Sequence, residues 1–169
     1  QIAFAVQVPI VTGDLNLSAT IDAGYHVRLG PLSRAKAPWR FGPVGVGSFP
    51  FVLGSGHIET ATTIHICEGQ WDAVALADYR VWLTGESTWP DYNVVFGTRG
   101  AGSTGLLLKH WMTMAPLTAQ IIIYPDADDA GDRATEKLVT ELEKLGFTDI
   151  RKFPGIKRGE DLSDYLREQ

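Results

Sequence analysis

Residues 120–132 read Gln120-Ile121-Ile122-Ile123-Tyr124-Pro125-Asp126-Ala127-Asp128-Asp129-Ala130-Gly131-Asp132, with Arg133-Ala134-Thr135-Glu136-Lys137 following. A short β-branched run ends in a proline and a cluster of carboxylates, the pattern of a buried strand that stops abruptly. Ala134, Leu138, Leu142 and Leu145 then recur at helical spacing. Asp128 or Asp129 is available as N-cap and Gly146 as C-cap. Asp126 and Asp128 therefore fall at the carboxyl end of a buried strand, where open α/β sheets place their ligands. An i, i+2 pair leaving a strand can turn both carboxylates into one crevice. Adjacent anions repel, and a divalent cation relieves them. Taken alone, an Asp-x-Asp is equally well a solvated turn with helix caps.

A second acidic position stands in the same setting. Ile64-His65-Ile66-Cys67 is a short apolar strand, and Glu68-Gly69-Gln70-Trp71-Asp72-Ala73-Val74-Ala75-Leu76 follows it. Glu68 stands where strand turns into helix, Gly69 permits a tight exit, and Asp72 fits the first helical turn. Two acidic strand ends in one parallel sheet could converge on one crevice. His65 reads as a packed strand residue.

Working outward, the period alternates from residue 62 onward. Strands at Thr62 to Cys67, Asn93 to Phe96, Gln120 to Tyr124 and Ile150 to Phe153 alternate with helices at Gln70 to Tyr79, Thr104 to Met112, 129–145 and Leu162 to Arg167. That alternation predicts a parallel four-stranded sheet covered on both faces. Residues 1–60 differ. Gln1 to Val11, Leu15 to Ile21 and Tyr25 to Leu29 read as strands, with turns at Gly13-Asp14 and Ala23-Gly24. A Gly- and Pro-rich connection over 30–56 follows. Its Trp39-Arg40-Phe41 could stack on a base or anchor a loop. The division is a β-rich segment over 1–60 and an α/β domain over 61–169.

Residues 97–105, Gly97-Thr98-Arg99-Gly100-Ala101-Gly102-Ser103-Thr104-Gly105, follow a strand and open a helix. This arrangement can hold a phosphate on backbone N–H groups. It lacks the Gly-Lys-Ser/Thr of a Walker A loop and the setting of a dinucleotide fingerprint. The alternative is a flexible strand-to-helix loop.

Composition narrows the classes. With 169 residues and 44% hydrophobic content, the chain can bury a core. The one cysteine, Cys67, excludes an internal disulfide and a cysteine-based zinc site, and suits a reducing cytoplasm. No run approaches a membrane span and no signal-peptide pattern opens the chain. A net charge of −5 argues against tight duplex binding by this piece alone, although bound cations would offset several carboxylates. A start at Gln1 reads as a piece of a longer polypeptide.

Strand-Glu-Gly-x-x-Asp-Ala followed by strand-Asp-x-Asp-x-Ala-Gly-x-x-Ala resembles the Toprim domain of primases, type IA and type II topoisomerases and some nucleases. Glu68, Gly69, Asp72, Ala73, Asp126, Asp128, Ala130, Gly131 and Ala134 carry the match. A third element, Gly159-Glu160-Asp161-Leu162-Ser163-Asp164-Tyr165-Leu166, is similar to the Lys-Asp-x-Asn-Asp-Tyr-Leu ending of phage and plasmid primase-helicases. The resemblance covers roughly residues 62–168. It implies a Rossmann-like Toprim sheet and a crevice binding Mg²⁺, with Mn²⁺ as substitute. Asp126 and Asp128 would be ligands, Glu68 a ligand or general acid/base, and Asp161 a further acid. It implies Arg99 and the Gly100 backbone as phosphate contacts.

The activity so implied is RNA primer synthesis from nucleoside triphosphates on a single-stranded DNA template, beside zinc-binding and helicase domains of a parent chain. Phosphodiester hydrolysis and a non-catalytic docking role are the alternatives. A topoisomerase would need a tyrosine nucleophile in a separate domain. Strand-Asp-x-Asp also opens haloacid-dehalogenase-like phosphatases, but a small residue and then Thr or Val usually follow there. Here the positions hold Asp129 and Ala130, and the motif falls late.

Overall fold

Apolar and β-branched runs pair into two sheets in a computed structural model that describes residues 2–11, 18–28, 39–43, 49–85, 93–99 and 101–169. The first sheet is antiparallel, with β1 (Ile2–Val11), β2 (Ser18–Arg28) and β3 (Trp39–Gly42) in that order. The expected turn at Ala23-Gly24 is instead a β-bulge inside one long strand. Pairing passes from Val6 opposite Gly24 to Gln7 opposite Asp22, so Ala23 is the extra residue. A Cβ on Gly24 would lie 2.0 Å from the Gly42 carbonyl oxygen, so glycine is what lets β3 close on β2. The expected Gly13-Asp14 turn, Leu29, Gly100, and residues 30–38 and 44–48 of the Gly/Pro-rich connection lie outside the described residues.

The second sheet holds β4 (Phe51–Leu53), β5 (Thr63–Cys67), β6 (Asn93–Gly97), β7 (Gln120–Tyr124) and β8 (Ile150–Lys152), in the order β4-β6-β5-β7-β8. Four of these are parallel to one another, as the alternation predicts. The fifth, β4, is antiparallel to β6 and comes from the stretch expected to be an irregular connection. Its three residues lie between Pro50 and Gly54, too few for a period to show.

The helices are α1 (Gln70–Thr84), α2 (Ala101–Leu106), α3 (Asp129–Leu145) and α4 (Leu162–Arg167). The helix expected over 104–112 is α2 followed by a π-helical stretch, Leu107–Met112. Leu107, Trp111 and Met112 from that stretch, with Leu138 and Leu142 of α3, cover Ile64, Ile66, Ile121 and Ile123 on one sheet face. Ala73 and Leu76 of α1 and Leu162 of α4 cover Cys67, Val95 and Tyr124 on the other. On α3 the buried stripe is Gly131, Thr135, Leu138 and Leu142, while Ala134 and Leu145 are exposed. Among the described residues, no helix is long and apolar enough to cross a membrane.

The connections position the site. From β5 the chain passes through α1 to β6 on one side, then returns past β5 to β7 on the other. Strand order thus reverses between β5 and β7, and a crevice opens at their carboxyl ends.

Candidate active site

Glu68 leaves β5 and Asp126 leaves β7, on neighbouring strands whose last residues, Cys67 and Tyr124, are in register. The two acids meet directly: the Asp126 N–H donates to Glu68 Oε2 at 3.1 Å. Beyond Asp126 the chain turns sharply, with the Asp128 N–H donating to the Asp126 carbonyl at 2.9 Å. Asp128 then caps α3, its Oδ1 accepting from the Ala130 and Gly131 N–H groups at 2.8 Å each. Gly131 is required by this turn, since a Cβ there would stand 2.3 Å from the Asp126 carbonyl oxygen.

The third sequence element docks onto the same turn. The Gly159 N–H donates to the Ala127 carbonyl at 2.9 Å, and the Ala127 N–H to the Glu160 carbonyl at 3.2 Å. Asp161, next in line, caps α4 by accepting from the Asp164 N–H and the Ser163 hydroxyl, each at 2.8 Å. Asp72 completes the group. It is buried in the first turn of α1 and accepts from the Ser163 N–H at 3.0 Å, tying α1 to α4. Gly69 makes room for it: a Cβ at 69 would meet Asp72 Oδ2 at 2.7 Å.

These five carboxylates act on one another. Burial, then the charges of Glu68, Asp72, Asp161 and Asp128, push the Asp126 carboxyl up to about 7. Burial, then Asp161, push Asp72 up to about 6, against the pull of hydrogen bonds from the Ser163 and Gly69 backbone. Neighbouring cations face the next acids along the chain. Lys152 pairs with Asp132 at 2.5 Å, and Arg158 pairs with Asp129.

Hard carboxylate oxygens crowded until two resist ionisation suit a divalent cation. Among the described residues, no three His, Cys, Asp or Glu side chains are grouped to hold a metal ion. Asp128 and Asp161 each turn one oxygen onto their own helix.

The other expected residues divide. Arg99 follows β6 and is half-buried, and burial lowers its pKa from the ordinary value. Thr98 fixes that loop, its N–H and hydroxyl both donating to the Cys67 carbonyl, at 2.8 and 3.2 Å. His65 is a core residue, bonded through Nδ1 to the Tyr124 hydroxyl at 3.0 Å, and burial then the Arg80 charge lower its pKa to about 3. The sequence reading placed Asp72 in the first turn of α1 without assigning it to the acidic site. Its place in the Glu-Gly-x-x-Asp pattern was the available signal.

Residues 65–166 match the family described as Toprim-like. The chain belongs to that family. Toprim domains are found in primases, nucleases and topoisomerases, and the Toprim-like match spans all three sequence elements that meet at this crevice. No curated protein and no solved structure matches the chain.

Proposed function

We propose that this chain is the catalytic Toprim part of a larger primase or primase-helicase, joining ribonucleotides into a primer on single-stranded DNA. The observation that carries the reading is the junction of Glu68 and Asp126 across adjacent strand ends, with Asp72 and Asp161 brought in by α1 and α4. Glu68, Asp126 and Asp128 would hold Mg²⁺ or Mn²⁺, with Asp161 as a further ligand. The metal, when bound, stabilises charge on the phosphoryl oxygens and lowers the pKa of an attacking hydroxyl. Glu68 Oε2 is engaged by the Asp126 N–H, so Oε1 is the atom suited to take a proton. Arg99 and the neighbouring backbone would orient phosphate. The primase choice within the family rests on the residue 159–166 ending, docked on Ala127 and Asp72. Flanking zinc-binding and helicase segments would supply template reading and movement.

A second reading, a non-catalytic docking module, has one observation on its side: Asp128 and Asp161 are held as helix caps, and among the described residues no three acids are grouped to hold a metal ion. Calorimetry with Mg²⁺ and Mn²⁺ separates the two. Binding in the wild type that is lost in Asp126→Asn/Asp128→Asn supports the metal site. Primer synthesis with the flanking segments restored then tests the primase. Metal-dependent cleavage of single-stranded DNA without primer synthesis would make the chain a nuclease. Equal metal binding by both proteins, or none in either, would overturn the catalytic reading.

A further inference from the structure

A cavity of about 270 Å³ lies beside the acids, under the carboxyl ends of β5 and β7 and between the 104–108 segment and α3. Ile66 and Ile123 form its floor, and Leu108 and Leu138 stand on its two sides. Its mouth reaches Glu68, Thr98 and Pro125, the residue before Asp126. Nothing in the metal chemistry uses this space.

We propose that the cavity is a nucleobase slot, holding the base of a nucleotide whose phosphate lies at the acidic crevice. This deepens the proposed function and rests on it for the placement of the phosphate. The volume falls just below the range of whole-ligand pockets, ~300–1,000 Å³, so it suits one ring system rather than a complete nucleotide. Aliphatic side chains on both sides give it the apolar walls that the faces of a base need. Thr135 and Lys137 of α3 also line it, side chains with polar ends suited to a ring edge. A base seated there points its sugar toward Glu68 and Asp126. The π-helical stretch Leu107–Met112 fits this role, since such departures from α geometry recur at functional sites.

The base could come from a free nucleotide or from a strand. Protein labelled at methyl groups and backbone amides, followed by NMR, distinguishes them with adenosine, AMP, inorganic triphosphate and a short oligothymidylate as probes, in the presence of Mg²⁺. Adenosine and AMP are expected to shift the methyl signals of Ile66, Ile123, Leu108 and Leu138, while triphosphate leaves them in place. A lower titration midpoint, per molecule, for the oligothymidylate than for AMP assigns the slot to a strand, and the reverse assigns it to a free nucleotide. Ala134→Leu narrows the slot from the outer side of α3 and should weaken AMP binding about tenfold, with Mn²⁺ binding unchanged. Shifts confined to the backbone of residues 68 and 126–128, or none with any base-bearing probe, would overturn the slot. Mn²⁺ broadening at those same residues reports on the metal reading separately. Adenosine, which carries no phosphate, reports on the slot even where that broadening is absent.

Discussion

Gly131 touches Asp126: a Cβ at 131 would stand 2.3 Å from the Asp126 carbonyl oxygen and 3.1 Å from its carbonyl carbon. The obstacle is backbone, which cannot rotate away. Ala is ordinarily the better helix former by about 1 kcal/mol, but here overpacking dominates. Gly131→Ala should destabilise the protein by about 1–3 kcal/mol, measured by urea denaturation. It should also weaken Mn²⁺ binding by displacing the turn that carries Asp126 and Asp128. Unchanged stability would show that the turn has slack to give.

The crowded acids predict a pH dependence of a definite sign. Asp126 is raised to about 7 from 3.8, and Asp72 to about 6. A raised carboxyl holds its proton longer in the folded than in the unfolded chain. Its contribution is full below about pH 4 and is lost as pH rises through the folded values. Without divalent cations, the melting temperature should fall between about pH 4 and about pH 7. Asp126 is half-exposed, so solvent screening discounts its share to about 1–2 kcal/mol. Asp126→Asn should flatten the fall, and Mg²⁺ added at the alkaline end should raise the wild-type melting temperature by binding the folded form. An unchanged slope in Asp126→Asn would remove Asp126 as its source.

Asp128 combines two roles that substitution can separate. Asp128→Asn keeps an oxygen for the Ala130 and Gly131 N–H groups but removes the charge. It should lose metal affinity while keeping most of its stability. Asp128→Ala should lose both, with about 1 kcal/mol of capping. Calorimetry and thermal melts on the pair test this, and full metal affinity in Asp128→Asn would exclude Asp128 as a ligand.

Asp72 holds α4 to α1 through the Ser163 N–H. Asp72→Ala leaves that donor without its acceptor and should cost about 1–3 kcal/mol. Amide exchange at Ser163 should speed up with it. Asp72→Asn keeps an acceptor and should show neither effect. Exchange in Asp72→Ala as slow as in the wild type would mean that this bond does not hold α4.

The acidic strand ends were legible because a strand, a breaker and a helix start announce themselves within a few residues. Glu68, Asp126 and Asp128 needed no long-range information. The Asp72–Ser163 bond did, joining positions 91 apart with nothing local to mark the pair. Ala23-Gly24 misled for a physical reason: a glycine dipeptide serves a turn and a bulge equally, and only the partner strand decides. Likewise nothing local in Leu106-Leu107-Leu108 marks where α2 gives way to the π-helical stretch.

The sheet's two margins are finished differently. At one, β8 is three residues long, exposes Arg151 and Lys152 and runs into Pro154, all of which discourage another strand from adding on. At the other, every residue of β6 is buried, and β4 supplies the cover. A fragment trimmed to the family-matching residues 65–166 would therefore bare an apolar strand with its hydrogen-bonding groups unpaired, a template for self-association. The smallest well-behaved fragment begins upstream of Phe51.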